Sequence, residues 1–334
     1  MTHATGSSIC FELTTTLPPG STSKDVLLSP AIKETAWLRK YGVPRMPFDR
    51  VYRDLTGYQK SDPQEHYKNL EMYLQIAERL VCEQEFLDRP TLRHPDLNPN
   101  NILISDKADI VALIDWQHSK ILPLFLQAGI PAHFQNYDDP VSEALAQPQL
   151  PNDLADLDEE DRAKKLELYR RRHVHFHYFG ATAKHNGRHF KALMHPAGLF
   201  RRKIFQHAGA PWEGNNVPLK ADLVRVMQQW DSLDVGMDGA GGKVSSQCPI
   251  SIDRVEADAV LEAAMKQYEA DGQMEILRNV VGIGSDGWVA HEGYHDAVAK
   301  AAEMKEQAIA YVEDETEREL TVRHWPFDDH DEAE

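Results

Sequence analysis

The stretch "HPDLNPNNILI", His94 to Ile104, decides how the rest of the chain is read. It sets a histidine, an aspartate and three asparagines ahead of an apolar run. "NILI" and, after "SDKAD", "IVALI" are two short apolar segments flanking a turn-forming stretch, which predicts a β-hairpin with a loop longer than two residues. Asn101 stands at the start of the first strand and Asp115 follows the end of the second. Antiparallel pairing brings those ends together, with Asp96 on the loop just before Asn101. Three oxygen-bearing side chains, Asp96, Asn101 and Asp115, are therefore expected on one edge. A carboxylate and an amide oxygen are hard ligands of the kind Mg²⁺ takes, and Mg²⁺ leaves positions for phosphate oxygens. Asp96 is then available to accept a hydroxyl proton and orient it for attack on a phosphoryl group.

Around this hairpin the pattern is helical. Residues 1–30 are rich in Ser, Thr and Pro and are expected to form an irregular lead-in, with one short strand at "ICFELTT". "AIKETAWLRKY" predicts a short helix stopped by Gly42 and Pro44. In "SDPQEHYKNLEMYLQIAERLVCEQ", Asp62 suits a cap, Pro63 the first turn and Glu65 a capping-box position. Tyr67, Leu70, Leu74, Ala77 and Val81 fall close to one face of that helix. "LDEEDRAKKLELYRRRHVHFHYFGATA" and "LKADLVRVMQQWDSL" predict further helices, as do stretches near 252–280 and 291–318. The glycine-rich text near 235–249 marks a flexible break. The expected organisation is a lead-in over 1–30, a main lobe over 31–235, a linker over 236–250 and a helical extension with an acidic tail over 251–334.

Composition bounds the function. The 334 residues carry 53 acids against 36 Lys and Arg, a net charge of −17. Such an acidic excess repels phosphate backbones and argues against nucleic acid as a partner. At 42% hydrophobic the chain can bury a core, yet no stretch approaches the roughly 18 uninterrupted apolar residues of a membrane span. Cys10, Cys82 and Cys248 lie far apart, without a CxxC, which fits a reducing compartment. The N-terminal residues read neither as a secretory signal nor as an arginine-bearing transit peptide, so an intracellular place, cytoplasm or mitochondrion, is expected.

"HPDLNPNNIL" resembles the catalytic loop of kinase-fold enzymes, His-x-Asp-Leu with an Asn five residues after the Asp. "LIDWQ" resembles their second metal-binding segment. Asp-Trp there, and a proline between the Asp and the Asn, resemble the aminoglycoside phosphotransferase and choline kinase branch. "IDWQHSKILPLFLQAGIP", "HFHYFGATAKHN" and "APWEGNNVPLKADL" are similar to fungal phosphotransferase-family proteins related to the altered-inheritance-of-mitochondria group, over roughly residues 31 to 330. The resemblance implies an α+β, mostly α chain of protein-kinase-like fold, represented by its helical C-terminal lobe. It implies Asp96 as catalytic base, Asn101 and Asp115 as holders of Mg²⁺, His94 as a structural brace behind the loop, and Asn98 as a group near the phosphate. ATP would be the donor and a small-molecule hydroxyl the acceptor.

The N-terminal lobe of such enzymes supplies a Gly-rich loop, a strand lysine and a helix glutamate that pairs with it. No such set is read before residue 60; Lys24, Lys33 and Lys40 are not in V-x-x-K strand contexts. The chain is expected to begin in the linker that enters the C-terminal lobe. Metal binding through Asn101 and Asp115 alone is then expected to be weak, so the catalytic residues can be present without turnover. The rival reading is a non-catalytic pseudokinase or partner-binding module. "GIGSDG", Gly282 to Gly287, fits GxGxxG but follows a helix, and the Asp286-Gly287 turn explains it more simply. His173, His175 and His177 would share a face on a strand and bind zinc, but the flanks predict a helix, where residues two apart diverge. Arg170 to Arg172 read as a solvated face or as partners of nearby acids, and Trp212 and Trp230 as core.

Overall fold

In the computed structural model, residues 22–328 are described, apart from 83, 138, 196, 233–246 and 285–286. The "ICFELTT" strand and most of the glycine-rich break lie outside the described residues. The chain is α+β and mostly helical. In order it forms α1 (Ser23–Tyr41), α2 (Pro63–Ile76), the one-turn α3 (Glu85–Asp88), β1 (Pro90–Arg93), β2 (Ile102–Ile104), β3 (Ile110–Leu113), β4 (Lys120–Pro123) and the one-turn α4 (Leu124–Gln127) and α5 (Pro140–Glu143). The long α6 (Glu159–His185) follows, then α7 (Gly187–Leu193), α8 (Gly198–Ala208), α9 (Val217–Gln228), α10 (Arg254–Val281), α11 (Tyr294–Tyr311) and α12 (Glu315–Arg323). Among the described residues two compact units result, one from 28–79 and 206–328, the other from 22–27 and 80–205.

Helix α1 starts inside the expected irregular lead-in. Thr22 and Asp25 form a reciprocal cap: Asp25 N–H donates to Thr22 Oγ1, and Thr22 N–H donates to Asp25 Oδ2 at 2.8 Å. Aspartate here does the work glutamate does in the usual capping box. The helix therefore runs through Pro30, which the sequence reading treated as a boundary, and ends before Gly42. A Cβ at Gly42 would lie 2.6 Å from Leu38 O, so only glycine fits that stop.

In the first unit, Asp62 caps α2 by accepting from Gln64 N–H. Glu65 does not close a capping box; it pairs with Lys68 at 2.8 Å instead. The buried stripe of α2 is His66, Asn69, Leu70, Tyr73 and Ile76, one step round from the expected face; of that face Leu70 and, just past the helix, Ala77 are buried, while Tyr67, Leu74 and Val81 are half-buried. The helix buries a wider arc than a count of apolar residues suggests, because it packs polar His66 and Asn69 inward. Trp212, Leu219, Leu223, Val224 and Trp230 join this core, as does Met274 of α10. Gly214, with φ +76, follows Trp212 where a Cβ would sit 2.2 Å from Met46 O.

In the second unit the expected hairpin forms. β2 pairs antiparallel with β3, Ile102 opposite Leu113, with a bulge between Leu103 and Ile104. A second pair, missed in the sequence, encloses it: β1 pairs antiparallel with β4, from Pro90 opposite Pro123 to Arg93 opposite Lys120. The chain thus makes two nested ladders, interrupted on both strands by polar loops at 94–101 and 114–119. α6 is one helix of 27 residues, capped by Asp158. Its flanks decide the histidines: His173 and His177, one turn apart, pack as a tilted pair with centroids 4.7 Å apart. His175 diverges from them, buried, and its Nδ1 accepts from Asn136 N–H. Arg170 and Arg172 take acidic partners, Glu167 and Asp139.

Candidate catalytic edge

The two interruptions in the nested ladders face each other because the strands on either side are paired. Pro99 opens a single 3-10 turn over Pro99–Asn101, and Asn98 caps it by accepting Asn100 N–H at 2.9 Å. That turn delivers Asn101 to the start of β2. Ile114 N–H then donates to Asn101 O at 3.0 Å, which continues the ladder one step and sets Asp115 just beyond it.

His94 ties the loops together. Asp96 N–H donates to its Nδ1 at 3.2 Å, so Nδ1 is an acceptor and the ring hydrogen sits on Nε2. Nε2 donates to Ile114 O at 2.7 Å. Both nitrogens are thereby used on backbone, one on each loop, which is the geometry of a brace and not of a proton shuttle. Trp116 packs edge-on against His94, centroids 4.7 Å apart, and its Nε1 donates to Leu113 O.

Two amides hold Asp96. Asn98 Nδ2 donates to Asp96 Oδ2 at 2.7 Å, and Asn101 Nδ2 to the same oxygen at 3.3 Å. Asn101 Nδ2 also donates to Asp96 O at 2.8 Å. Both side-chain donors converge on Oδ2, which leaves Oδ1 facing away from the clamp. Asn98 sits against Asp96 with its oxygen and one amide hydrogen engaged. Asn101 is buried and commits its nitrogen, so its Oδ1 is the atom left to act as a hard ligand.

Asp115 is exposed and has φ +62, the left-handed region. Aspartate tolerates that region better than most residues, at a cost. His118, three residues on, has the same backbone at φ +62, so the loop between the ladders turns twice through this region. No hydrogen bond to its carboxylate occurs among the described residues. Two oxygens, Asn101 Oδ1 and a carboxylate of Asp115, are donors that fit Mg²⁺. No three His, Cys, Asp or Glu side chains gather to hold a metal among the described residues, so a closed all-protein site of the zinc type is not built here.

The structure thus joins Asp96, Asn98 and Asn101 directly, and His94 to both loops. "GIGSDG" is a helix stop: Gly282 ends α10 at φ +91 and Gly287 N–H donates to Gly284 O. The sequence reading missed Trp116 as a wall of the site and Arg93 as its neighbour. Arg93 donates to the carbonyls of Gln127 and Gly129 and to Tyr178 Oη. The signal for Trp116 was present in "IDWQ"; nothing local signalled the contacts of Arg93.

Among known proteins, the chain is 26% identical over 313 residues to a subtelomeric hrmA-associated cluster protein of Aspergillus fumigatus, covering 93% of this chain and 58% of that protein. It is 22% identical over 222 residues to altered inheritance of mitochondria protein 9, mitochondrial, of Vanderwaltozyma polyspora, covering 66% of this chain and 32% of that protein. The Saccharomyces cerevisiae protein of the same name is 23% identical over 159 residues, 47% of this chain and 24% of that protein. The chain spans less than two thirds of the length of these curated relatives. No family model matches it, and no solved structure does. These three relatives, all at low identity, are fungal proteins, and two of the three are named as mitochondrial.

Proposed function

We propose that this chain carries the catalytic edge of an ATP-dependent phosphotransferase of the aminoglycoside and choline kinase type, in a kinase-like fold, acting on a hydroxyl of a small molecule. One observation carries the reading: Asn98 and Asn101 both donate to Asp96 Oδ2, a clamp that leaves Oδ1 uncommitted on the same loop that delivers Asn101. Asp96 accepts the proton of the acceptor hydroxyl and orients its oxygen. Asn101 Oδ1 and the Asp115 carboxylate would hold Mg²⁺, and His94 keeps the two loops in register. Mg²⁺, when bound, neutralises charge on the transferring phosphoryl group. The relatives' names support a place inside the cell, in the cytoplasm or the mitochondrion. No helix among the described residues is long and apolar enough to cross a membrane.

A second reading, a non-catalytic module that binds a protein partner, is favoured by one specific observation. The hairpin is strongly apolar and open: Ile104, Ile110 and Val111 are 62%, 68% and 64% exposed. Exposed apolar surface of this kind marks an interaction face. The two readings separate by experiment. The melting temperature of the full chain is measured with and without MgATP, beside Asp115→Ala. At about 100 times the dissociation constant a ligand stabilises by about 2.7 kcal/mol. A shift present in the natural chain and lost in the variant supports the phosphotransferase reading; no shift at millimolar MgATP supports the binding module. Where turnover is found, Asp96→Asn abolishes it while the MgATP shift persists, and unchanged turnover overturns the role of Asp96.

A further inference from the structure

A cavity of about 410 Å³ lies in the second unit, within the size range of small-molecule sites. Its apolar lining is Phe86, Leu92 and Leu124. Its polar lining is one-sided. Arg89, Arg93 and Arg188 line it, together with His189, Thr182 and Asn186, and no aspartate or glutamate does. In a chain with 53 acids and 36 Lys and Arg, a cavity with three arginines and no acid is a marked separation of charge.

The charges there are poorly compensated. Arg93 donates from Nη1 to two carbonyls and from Nη2 once to the Tyr178 hydroxyl, uncharged partners that leave its charge uncompensated. Burial pulls its guanidinium below its ordinary range. Arg188 is exposed and has no ion pair among the described residues. Arg89 has a solvent-exposed partner in Glu85, a contact of small value. His189 contributes no charge: burial first, then Arg93 and Arg202, push its imidazole down to about 4.

We propose that this cavity binds an organic phosphomonoester, with the phosphate against Arg93, Arg188 and Arg89 and the apolar body on Phe86, Leu92 and Leu124. A phosphate dianion accepts from several planar guanidinium forks at once, which one carboxylate cannot do equally. The Thr182 hydroxyl and the Asn186 amide supply further donors. The site is distinct from the catalytic edge, since none of Asp96, Asn101 and Asp115 lines it. It sits one residue away along the chain, because Arg93 runs directly into His94.

Calorimetric titration of the full chain with phenyl phosphate tests this. Binding is expected to weaken at least about tenfold in Arg188→Glu, an exposed position whose reversal leaves the fold intact, and comparably in Arg89→Glu. Asp115→Ala is expected to bind phenyl phosphate as the natural chain does. Inorganic phosphate and phenylacetate are each expected to bind several-fold more weakly than phenyl phosphate. No saturation by about 10 mM, or equal affinity in both charge-reversed variants, overturns the proposal. Loss of binding in Asp115→Ala also overturns it, by moving the anion to the catalytic edge. Equal binding of phenylacetate overturns the choice of phosphate, and equal binding of inorganic phosphate overturns the organic body.

Discussion

The catalytic edge and the Trp212 corner both fix polar groups in place, and they do so over very different spans of chain. At the edge, Asn101 reaches back five residues to Asp96, and His94 spans 20 residues to Ile114. At the corner, Trp212 N–H donates to Glu34 Oε1 across 178 residues, and its Nε1 to Val43 O across 169. His66 stacks on the same indole at 5.4 Å. The edge is open, with Asp96 and Asp115 in solvent, whereas Trp212 is 2% exposed. The edge is assembled from short local bonds that cost little to keep exposed, which suits the ligand-meeting role proposed for it. A corner meant to hold helices together is assembled from distant groups and loses stability when any one is removed.

The largest effect expected from this contrast is at the corner. Trp212→Ala leaves a large void and strands the Val43 carbonyl that accepts from the indole, and should cost about 3–5 kcal/mol, read as a fall in the urea midpoint. A loss below about 1 kcal/mol would show that the corner is not the anchor described.

Acid should strike the corner next. Both His66 ring nitrogens are buried without a hydrogen-bond partner among the described residues, and burial pushes the imidazole down to about 4. The unfolded chain therefore takes the proton first as pH falls. His66 stability is complete above about 6.5 and is lost progressively down to about 4, by about 2–3 kcal/mol. His189 titrates in the same sense and window. Glu34, raised by burial, works in the opposite direction. Urea midpoints at pH 7 and 4.5 should differ less in His66→Phe than in the natural chain; an identical slope would sink the assignment.

Smaller effects belong to the edge. Asn101→Ala removes the bond to Asp96 O from a buried position and should cost about 1 kcal/mol, with Asp96 losing one of its two side-chain donors. A cost as large as that of Trp212→Ala would erase the distinction between the regions. Asp115→Gly should raise stability by up to about 1 kcal/mol, because glycine accepts φ +62 freely. The same variant should abolish any MgATP-dependent shift. A stable variant that keeps the shift would remove Asp115 from the metal set.

The outer ladder shows why part of the edge was hidden. "NILI" and "IVALI" announce a hairpin because both runs are apolar and a turn-forming stretch separates them. β1 and β4 are "PTLR" and "KILP", each with one or two apolar residues beside a proline and a charge. Short, mixed runs of that kind carry no period, and their pairing is visible only once the inner hairpin has brought them level. The displaced stripe on α2 has a related cause: inward-facing His66 and Asn69 are polar, so a count of apolar residues cannot find them.

What the sequence by itself determined is the local chemistry: the loop of Asp96, Asn98 and Asn101, the hairpin that carries it, and the helical reading of the three histidines. These follow from side chains a few residues apart, whose geometry the backbone period settles. Only the tertiary structure decided the ring orientation of His94, the left-handed backbone of Asp115, the corner around Trp212 and the arginine-lined cavity. Each of those depends on groups that meet across a loop or across most of the chain. Their proximity is produced by burial and strand pairing, which no neighbouring residue encodes.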